Sequence, residues 1–160
     1  MPNVVVRPAC SEDLSILNQL MFQLHDEHHR GCPEYFKTAQ EIESEKSIAQ
    51  YLDDPECLVF VATLASQVIG FISGHFCELM STVSKPVLMG SIDELYVKPD
   101  VRHHGAAKQL MVRIEHMFQQ YGVKEIFVEV WDFNVGAQGF YHNSGFTQHI
   151  HWLRKSVAGC

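Results

Sequence analysis

The sequence predicts a mixed α/β fold (an α+β mixed sheet) with helices on the faces of one sheet, in the order β-αα-β-β-β-α-β-α-β. Three observations lead there. Short runs rich in β-branched and aromatic residues recur along the chain, as strands do. Between them lie segments whose apolar residues repeat at three- and four-residue spacing, as in amphipathic helices. Near residue 100 a strand runs through a glycine-containing loop directly into the clearest helix of the chain. At 160 residues, one hydrophobic core spans the length, so a single domain over 1–160 is expected.

Val4-Val5-Val6-Arg7, stopped by Pro8, reads as the first strand. Ser11 is positioned to cap a helix over 12–28, with Glu12 and Asp13 in its first turn and Leu14, Leu17, Met21 and Leu24 on one face. Gly31 and Pro33 break it. Thr38-x-x-Glu41 has the form of a capping box and opens a second helix carrying Ile42, Ile48 and Tyr51, ending before Asp53. Cys57 to Leu64 and Val68 to Phe76 form a hairpin around Ala65-Ser66-Gln67, and Ser91 to Val97 is the next strand. Ala106, Ala107, Leu110, Met111, Ile114, Met117, Phe118 and Tyr121 then make one continuous helical face closed by Gly122. Glu125 to Trp131 is a strand, Val135 to Asn143 a short helix, and Thr147 to Arg154 a last strand.

Composition narrows the partners. No stretch approaches the roughly 18 apolar residues of a membrane span, and the N-terminus lacks a secretory pattern, so a cytoplasmic protein without a membrane partner is expected. Five scattered cysteines without CxxC (Cys10, Cys32, Cys57, Cys77, Cys160) fit free thiols in a reducing compartment. Net charge is −7. Residues 1–60 hold eleven acids and four bases, which accounts for all of it, and residues 61–160 hold eight of each. Phosphate backbones need a basic face, so nucleic acid is disfavoured; the acidic first part suits a cationic ligand.

The informative segment runs from Val97 through Arg102-His103-His104-Gly105-Ala106-Ala107-Lys108. The first amides of a helix have no intrahelical acceptor, and the helix dipole adds positive potential, so this junction can hold a phosphate or pyrophosphate. It fits neither the GxxxxGK(S/T) loop nor GxGxxG. Arg102-x-x-Gly105-x-Ala107 does resemble the Q/R-x-x-G-x-G/A signature of the GNAT acetyltransferases, which binds the pyrophosphate of coenzyme A. Ile92-Asp93-Glu94-Leu95-Tyr96-Val97-Lys98-Pro99 resembles that family's fourth strand. Asn134-x-x-Ala137-x-x-Phe140-Tyr141-x-x-x-Gly145-Phe146 resembles its final block. Three matches stand in register. One departure is the pair His103-His104, where the family more usually has Arg-Gly, which removes one phosphate partner.

The resemblance implies acetyl-CoA as co-substrate, no metal, and direct attack by an amine within a ternary complex. It implies a cofactor site formed by Leu95, Tyr96, Val97, Arg102, His103, His104, Gly105, Ala106, Ala107, Lys108, Asn134, Ala137 and Tyr141. Main-chain groups of Leu95 and Val97 would take the pantetheine arm, one of their N–H groups serving as oxyanion donor. Tyr141 matches the general acid toward the coenzyme sulfur; Asn134 matches a pantetheine contact and also reads as a helix cap. The family's usual glutamate aligns with Ser91, which cannot serve, whereas a polyamine-acetylating branch places the carboxylate at Asp93. Asp93 is therefore the first choice for base or substrate anchor and Glu94 the second. Strand alternation sets 91, 93, 95 and 97 on one face and 92, 94 and 96 on the other.

His25-x-x-His28-His29 has the spacing of a metal site, though neutral solvent-facing histidines at a helix end are far commoner, and lining the acceptor pocket is a stronger functional reading than metal. The expected acceptor is a small cationic amine, polyamine- or aminoglycoside-like. A protein or peptide amine, and a non-catalytic acyl-CoA sensor on the same fold, are the alternatives. No segment specifies an interface, and the family's frequent homodimers leave that arrangement open.

Overall fold

The computed structural model describes residues 2–158, so Cys160 lies outside the described residues. Two compact units divide the chain, Met1–Glu129 and Val130–Cys160. The first holds one five-stranded sheet built of β1 (Val5–Pro8), β2 (Cys57–Leu64), β3 (Gln67–Leu79), β4 (Val87–Val97) and β5 (Glu125–Val128), in that spatial order. The first four strands run antiparallel to their neighbours and β5 pairs parallel with β4. The expected mixed sheet is present.

Helix α1 (Leu14–Gly31) presents Leu17, Leu20, Met21 and Leu24 at helical spacing. They pack with Ile48 on Val59 and Val61 of β2, Phe71 of β3 and Tyr96 of β4. Helix α4 (Ala106–Gln120) buries Leu110, Met111, Ile114 and Phe118. It contacts the sheet from the other side, as the glycines show. A Cβ on Gly90 would lie 2.7 Å from the Phe118 ring, and one on Gly74 would lie 3.0 Å from Ile114 Cδ1. Gly74 stands three residues from Phe71 on a regular strand, so the two point to opposite faces.

Several boundaries differ from the sequence expectation. A 3-10 turn over Ser11–Asp13 precedes α1, and Asp13 rather than Ser11 ties that turn, accepting from the Cys10 N–H at 2.9 Å and from both Arg7 terminal nitrogens at 2.8 and 2.9 Å. The second helix is two, α2 (Ala39–Glu45) and α3 (Ile48–Asp53). Lys46 between them is extended, and the Ser47 side chain caps α3 by accepting from the Ala49 N–H. Strand β4 begins at Val87, four residues early, while β5 stops at Val128. Residues 147–154 form no strand; no ladder pairs with them among the described residues, and Ile150, Trp152 and Leu153 are exposed. Alternation is a local property, whereas a strand needs a partner edge to satisfy its backbone.

The second unit contains α5 (Val135–Asn143). No helix of the described residues is long and apolar enough to cross a membrane.

Candidate active site

Beyond Val97 the chain makes a 3-10 turn (Pro99–Val101) and enters α4 through Gly105, whose φ of +79° is the left-handed conformation that glycine adopts without penalty. His103 also has a positive φ, +74°. Gly105 has no side chain with which to cap α4, and the helix starts without any side-chain cap. The first intrahelical donor is the Gln109 N–H, to Gly105 O at 3.0 Å. The N–H groups of Ala106, Ala107 and Lys108 precede it and have no intrahelical acceptor. A Cβ at Gly105 would meet no protein atom within 4 Å, so space lies open beside these amides. Three donors, a dipole and an open cradle fit a pyrophosphate.

Arg102 is placed differently from a phosphate clamp. Its Nε donates to Val97 O at 2.8 Å, its guanidinium lies 5.3 Å from the centre of the Tyr96 ring, and Nη2 is 3.4 Å from Glu27. Its side chain braces the loop onto the end of β4.

The ladder between β4 and β5 ends at Ile92 and Val128, so β4 runs on from Asp93 to Val97 with no strand paired on that edge among the described residues. Lys98 N–H donates to Ile69 O at 2.8 Å. In an antiparallel ladder, bonded pairs alternate. Tyr96 and Phe71 therefore form the next bonded pair, and the main-chain groups of Leu95 and Val97 face the open edge. The Val97 carbonyl is taken by Arg102; both N–H groups and the Leu95 carbonyl remain. Tyr96 contributes little to that edge: its ring is buried in the α1 core and its hydroxyl donates to Glu27 at 3.1 Å. Burial, then the Glu27 carboxylate, push its phenol up to about 12.

Alternation separated Asp93 from Glu94. The structure brings them together. Ser73 pairs with Glu94 but Gly74 pairs with Ile92, so Asp93 is the extra residue of a β-bulge. The bulge shifts the alternation by one, and both carboxylates turn to the face covered by α1 to α3. Glu94 accepts from the Ser73 hydroxyl and the Lys46 ammonium, and its side chain is 2% exposed. Asp93 Oδ2 accepts from Tyr51 OH at 2.9 Å and lies 2.6 Å from His75 Nδ1; Oδ1 accepts from Ser91 Oγ at 2.9 Å. Burial and the two carboxylates raise the Tyr51 pKa far above the usual phenol range. Lys46 also lies 5.7 Å from the centre of the Tyr51 ring, which links the two clusters.

Sequence reasoning missed His75, Tyr51, Ser73 and Lys46. Their signal was weak: each has an ordinary role in its own segment, and only the bulge and the helix break converge them on Asp93 and Glu94.

Two histidines of α1 make local contacts with the loop that follows it. His29 Nδ1 lies 2.8 Å from Phe36 O, and because a carbonyl only accepts, that nitrogen carries the proton. His28 stacks on Phe36 at 5.1 Å. Burial, then Lys46 and His28, push His25 down to about 4, and its Nε2 is buried without a hydrogen-bond partner among the described residues. Together His28 and His29 tie the loop after α1. The void beside His25, lined also by Asn18, Met21, Phe22 and Lys46, holds about 20 Å³, water-sized. Among the described residues no group of three His, Cys, Asp or Glu side chains is arranged to hold a metal ion.

In the second unit, Asn134 caps α5, its side-chain oxygen accepting from the Ala137 N–H at 3.2 Å. Tyr141 packs edge-on against Phe140 and Phe146, with ring centres 5.3 and 5.4 Å apart. Burial pushes its phenol up to about 12, so it is protonated at neutral pH.

Comparison with known proteins gives this geometry its context. The model of the acetyltransferase (GNAT) family matches residues 21–146, through β4, the loop and α5. The chain is 58% identical to an acetyltransferase from Vibrio fischeri, over 79% of this chain and 96% of that one, with a TM-score of 0.66. It resembles a mutant of the BH1408 protein of Bacillus halodurans (18% identity, 96% and 99% covered, TM-score 0.84). It also resembles AAC(6')-Iy in complex with the bisubstrate analogue CoA-S-monomethyl-acetylneamine (19% identity, 97% and 99% covered, TM-score 0.71). At these lower identities the likeness is one of fold. The uncapped amides before α4, the open edge of β4 and the family match over most of the chain lead to one conclusion: this protein belongs to the GNAT family of acetyltransferases, enzymes whose acetyl donor is acetyl-CoA.

Proposed function

We propose that this enzyme acetylates the primary amine of a small cationic molecule, polyamine- or aminoglycoside-like, by direct attack in a ternary complex. The observation that carries this reading is the charge on the helices over the bulged carboxylates. Glu34, Glu41, Glu43, Glu45, Asp53, Asp54 and Glu56 are all exposed in the segment that carries α2 and α3, against Lys37 and a Lys46 already paired with Glu94. Amines are mostly protonated in water, and such a field concentrates them. AAC(6')-Iy, an aminoglycoside N-acetyltransferase of the same fold, supports the substrate class.

In this reading the amides of His103, His104, Gly105, Ala106, Ala107 and Lys108 hold the pyrophosphate of acetyl-CoA. Arg102 orders the loop, and Asn134 and Ala137 serve the pantetheine side. The free N–H groups of Leu95 and Val97 take the pantetheine and polarise the thioester carbonyl. Asp93 is the base or substrate anchor. Glu94, buried and paired with Ser73 and Lys46, holds the site together. Tyr141 supplies the proton for the departing thiolate, a role suited to a phenol held in its protonated form.

Family similarity runs across the boundary of the two units, which supports a single acetyltransferase domain. Free thiols at Cys10, Cys32, Cys57 and Cys77 support a cytoplasmic enzyme.

A steady-state panel of polyamines, aminoglycosides and lysine peptides with acetyl-CoA tests the reading. Turnover with the small polycations at lower KM than with peptides is the expected result. Acetylation of peptides alone would reject the substrate class, and acetyl-CoA binding without turnover of any amine would make the protein a sensor.

A further inference from the structure

His75 stands on β3, opposite Ser91 of β4 and Cys57 of β2, and shares the α1 to α3 face with Phe71 and Ser73. Its Nδ1 lies 2.6 Å from Asp93 Oδ2. An ionised carboxylate has no proton to give, so Nδ1 carries the hydrogen and Nε2 is left with its lone pair. Nε2 has no hydrogen-bond partner among the described residues, and the imidazole is 36% exposed where the Asp93 side chain is 13% exposed. Asp93 already accepts from Tyr51 and Ser91 as well, which occupies three of its roughly four lone-pair sites.

The other proton acceptors on this face are closed. Glu94 is buried against Lys46 and Ser73. Burial, with Asp54 and Asp93 adding to it, pushes the Cys57 thiol up to about 11, and burial then Asp93 raise Cys77, so neither is a thiolate near neutrality. Tyr51 is held protonated as a donor.

We infer that His75 is the general base of this acetyltransferase, taking the amine's proton on Nε2, and that Asp93 is the positioning residue that fixes the ring and steadies its charged form. The inference rests on the acetyl-transfer reading and reassigns the base within it. The ammonium gives one proton to Nε2. Its freed lone pair attacks the thioester carbon, so a C–N bond forms and the C–S bond breaks. The sulfur leaves with the electron pair and is protonated, offsetting the second proton that nitrogen loses, and the imidazolium returns its proton to water. A ring held through Nδ1 by a part-buried carboxylate keeps its orientation and leaves Nε2 as the nitrogen that can take a proton.

The test uses whichever amine of the panel turns over fastest. His75→Ala and His75→Gln should each lose about 10²- to 10⁴-fold in kcat. Free imidazole should restore part of the His75→Ala rate, a rescue that a purely structural side chain would not allow. Asp93→Asn should fall comparably and not respond to imidazole. In the free enzyme, ring nitrogen NMR should find His75 protonated at Nδ1 and bare at Nε2. Normal turnover in His75→Gln with loss in Asp93→Asn would make Asp93 itself the base, overturning this inference while acetyl transfer stands. Loss without imidazole rescue at an unchanged melting temperature, or the Nε2-protonated tautomer, would overturn it equally. If the wild-type enzyme turns over no amine in the panel, the proposed function fails first and this assignment with it.

Discussion

Replacing Gly105 with alanine adds one methyl group at the N-terminus of α4, and the structure separates its two costs. The φ of +79° is a left-handed conformation, which costs an L-residue about 1–2 kcal/mol. For a chain of this size that lowers the melting temperature by about 2–8 °C. There is no steric cost in the free protein, because the new Cβ meets nothing within 4 Å. With acetyl-CoA present, the methyl enters the space beside the Ala106, Ala107 and Lys108 amides. Losing one charge-assisted phosphate bond there removes about 1.5–3 kcal/mol, which is about a 10- to 150-fold loss of affinity. Gly122, at the other end of the same helix, provides a matched control: its φ is +85° and its Cβ space is equally open. Gly122→Ala should show the same thermal shift and bind coenzyme A normally. Calorimetric titration of both variants with coenzyme A is the assay, with scanning fluorimetry for stability. Equal affinity in Gly105→Ala and Gly122→Ala would refute the assignment of these amides to the pyrophosphate.

Three other predictions follow from single contacts. Ser73→Ala removes a fully buried donor to Glu94, and should cost about 1.5–3 kcal/mol, read as a melting temperature lowered by about 3–12 °C. Tyr141→Phe should lower turnover by about 10- to 10⁴-fold while leaving coenzyme affinity and melting temperature nearly unchanged, because only a hydroxyl is lost from an aromatic cluster. Asp13 is held down to about 2 by its Arg7 hydrogen bonds, so its folded pKa is depressed. Its stabilisation of about 2 kcal/mol is complete above the unfolded carboxylate pKa near 4 and is lost as pH falls from there toward 2. Acid unfolding of Asp13→Asn should lack that part of the pH dependence.

Local signals proved readable wherever the determining contacts lie within a few residues. Thr38 does cap α2, accepting from the Glu41 N–H at 3.2 Å, and Asn134 does cap α5. The face of α1 that the spacing marks is the buried face. Gly105 stands at the left-handed entry to α4, where the motif placed it. What sequence reasoning lost were features that depend on a partner strand or a distant side chain. Thr147 to Arg154 alternates without finding a ladder, and the helix over 38–52 breaks where Lys46 leaves to meet Glu94.

The sequence by itself determined the family, the order of the strands and helices up to α5 apart from the division of the second helix, and the glycine entry into α4. All of these depend on short-range spacing, backbone propensity and the unsatisfied amides of a helix end, which travel with the local chain. Tertiary structure alone decided the chemistry beside it. One extra residue in the register between β3 and β4 turns Asp93 and Glu94 onto a single face. That register then gives Glu94 to Lys46 and Ser73, and Asp93 to Tyr51, Ser91 and His75. A bulge is a relation between two strands rather than a property of either, so no periodicity along one strand could have announced it.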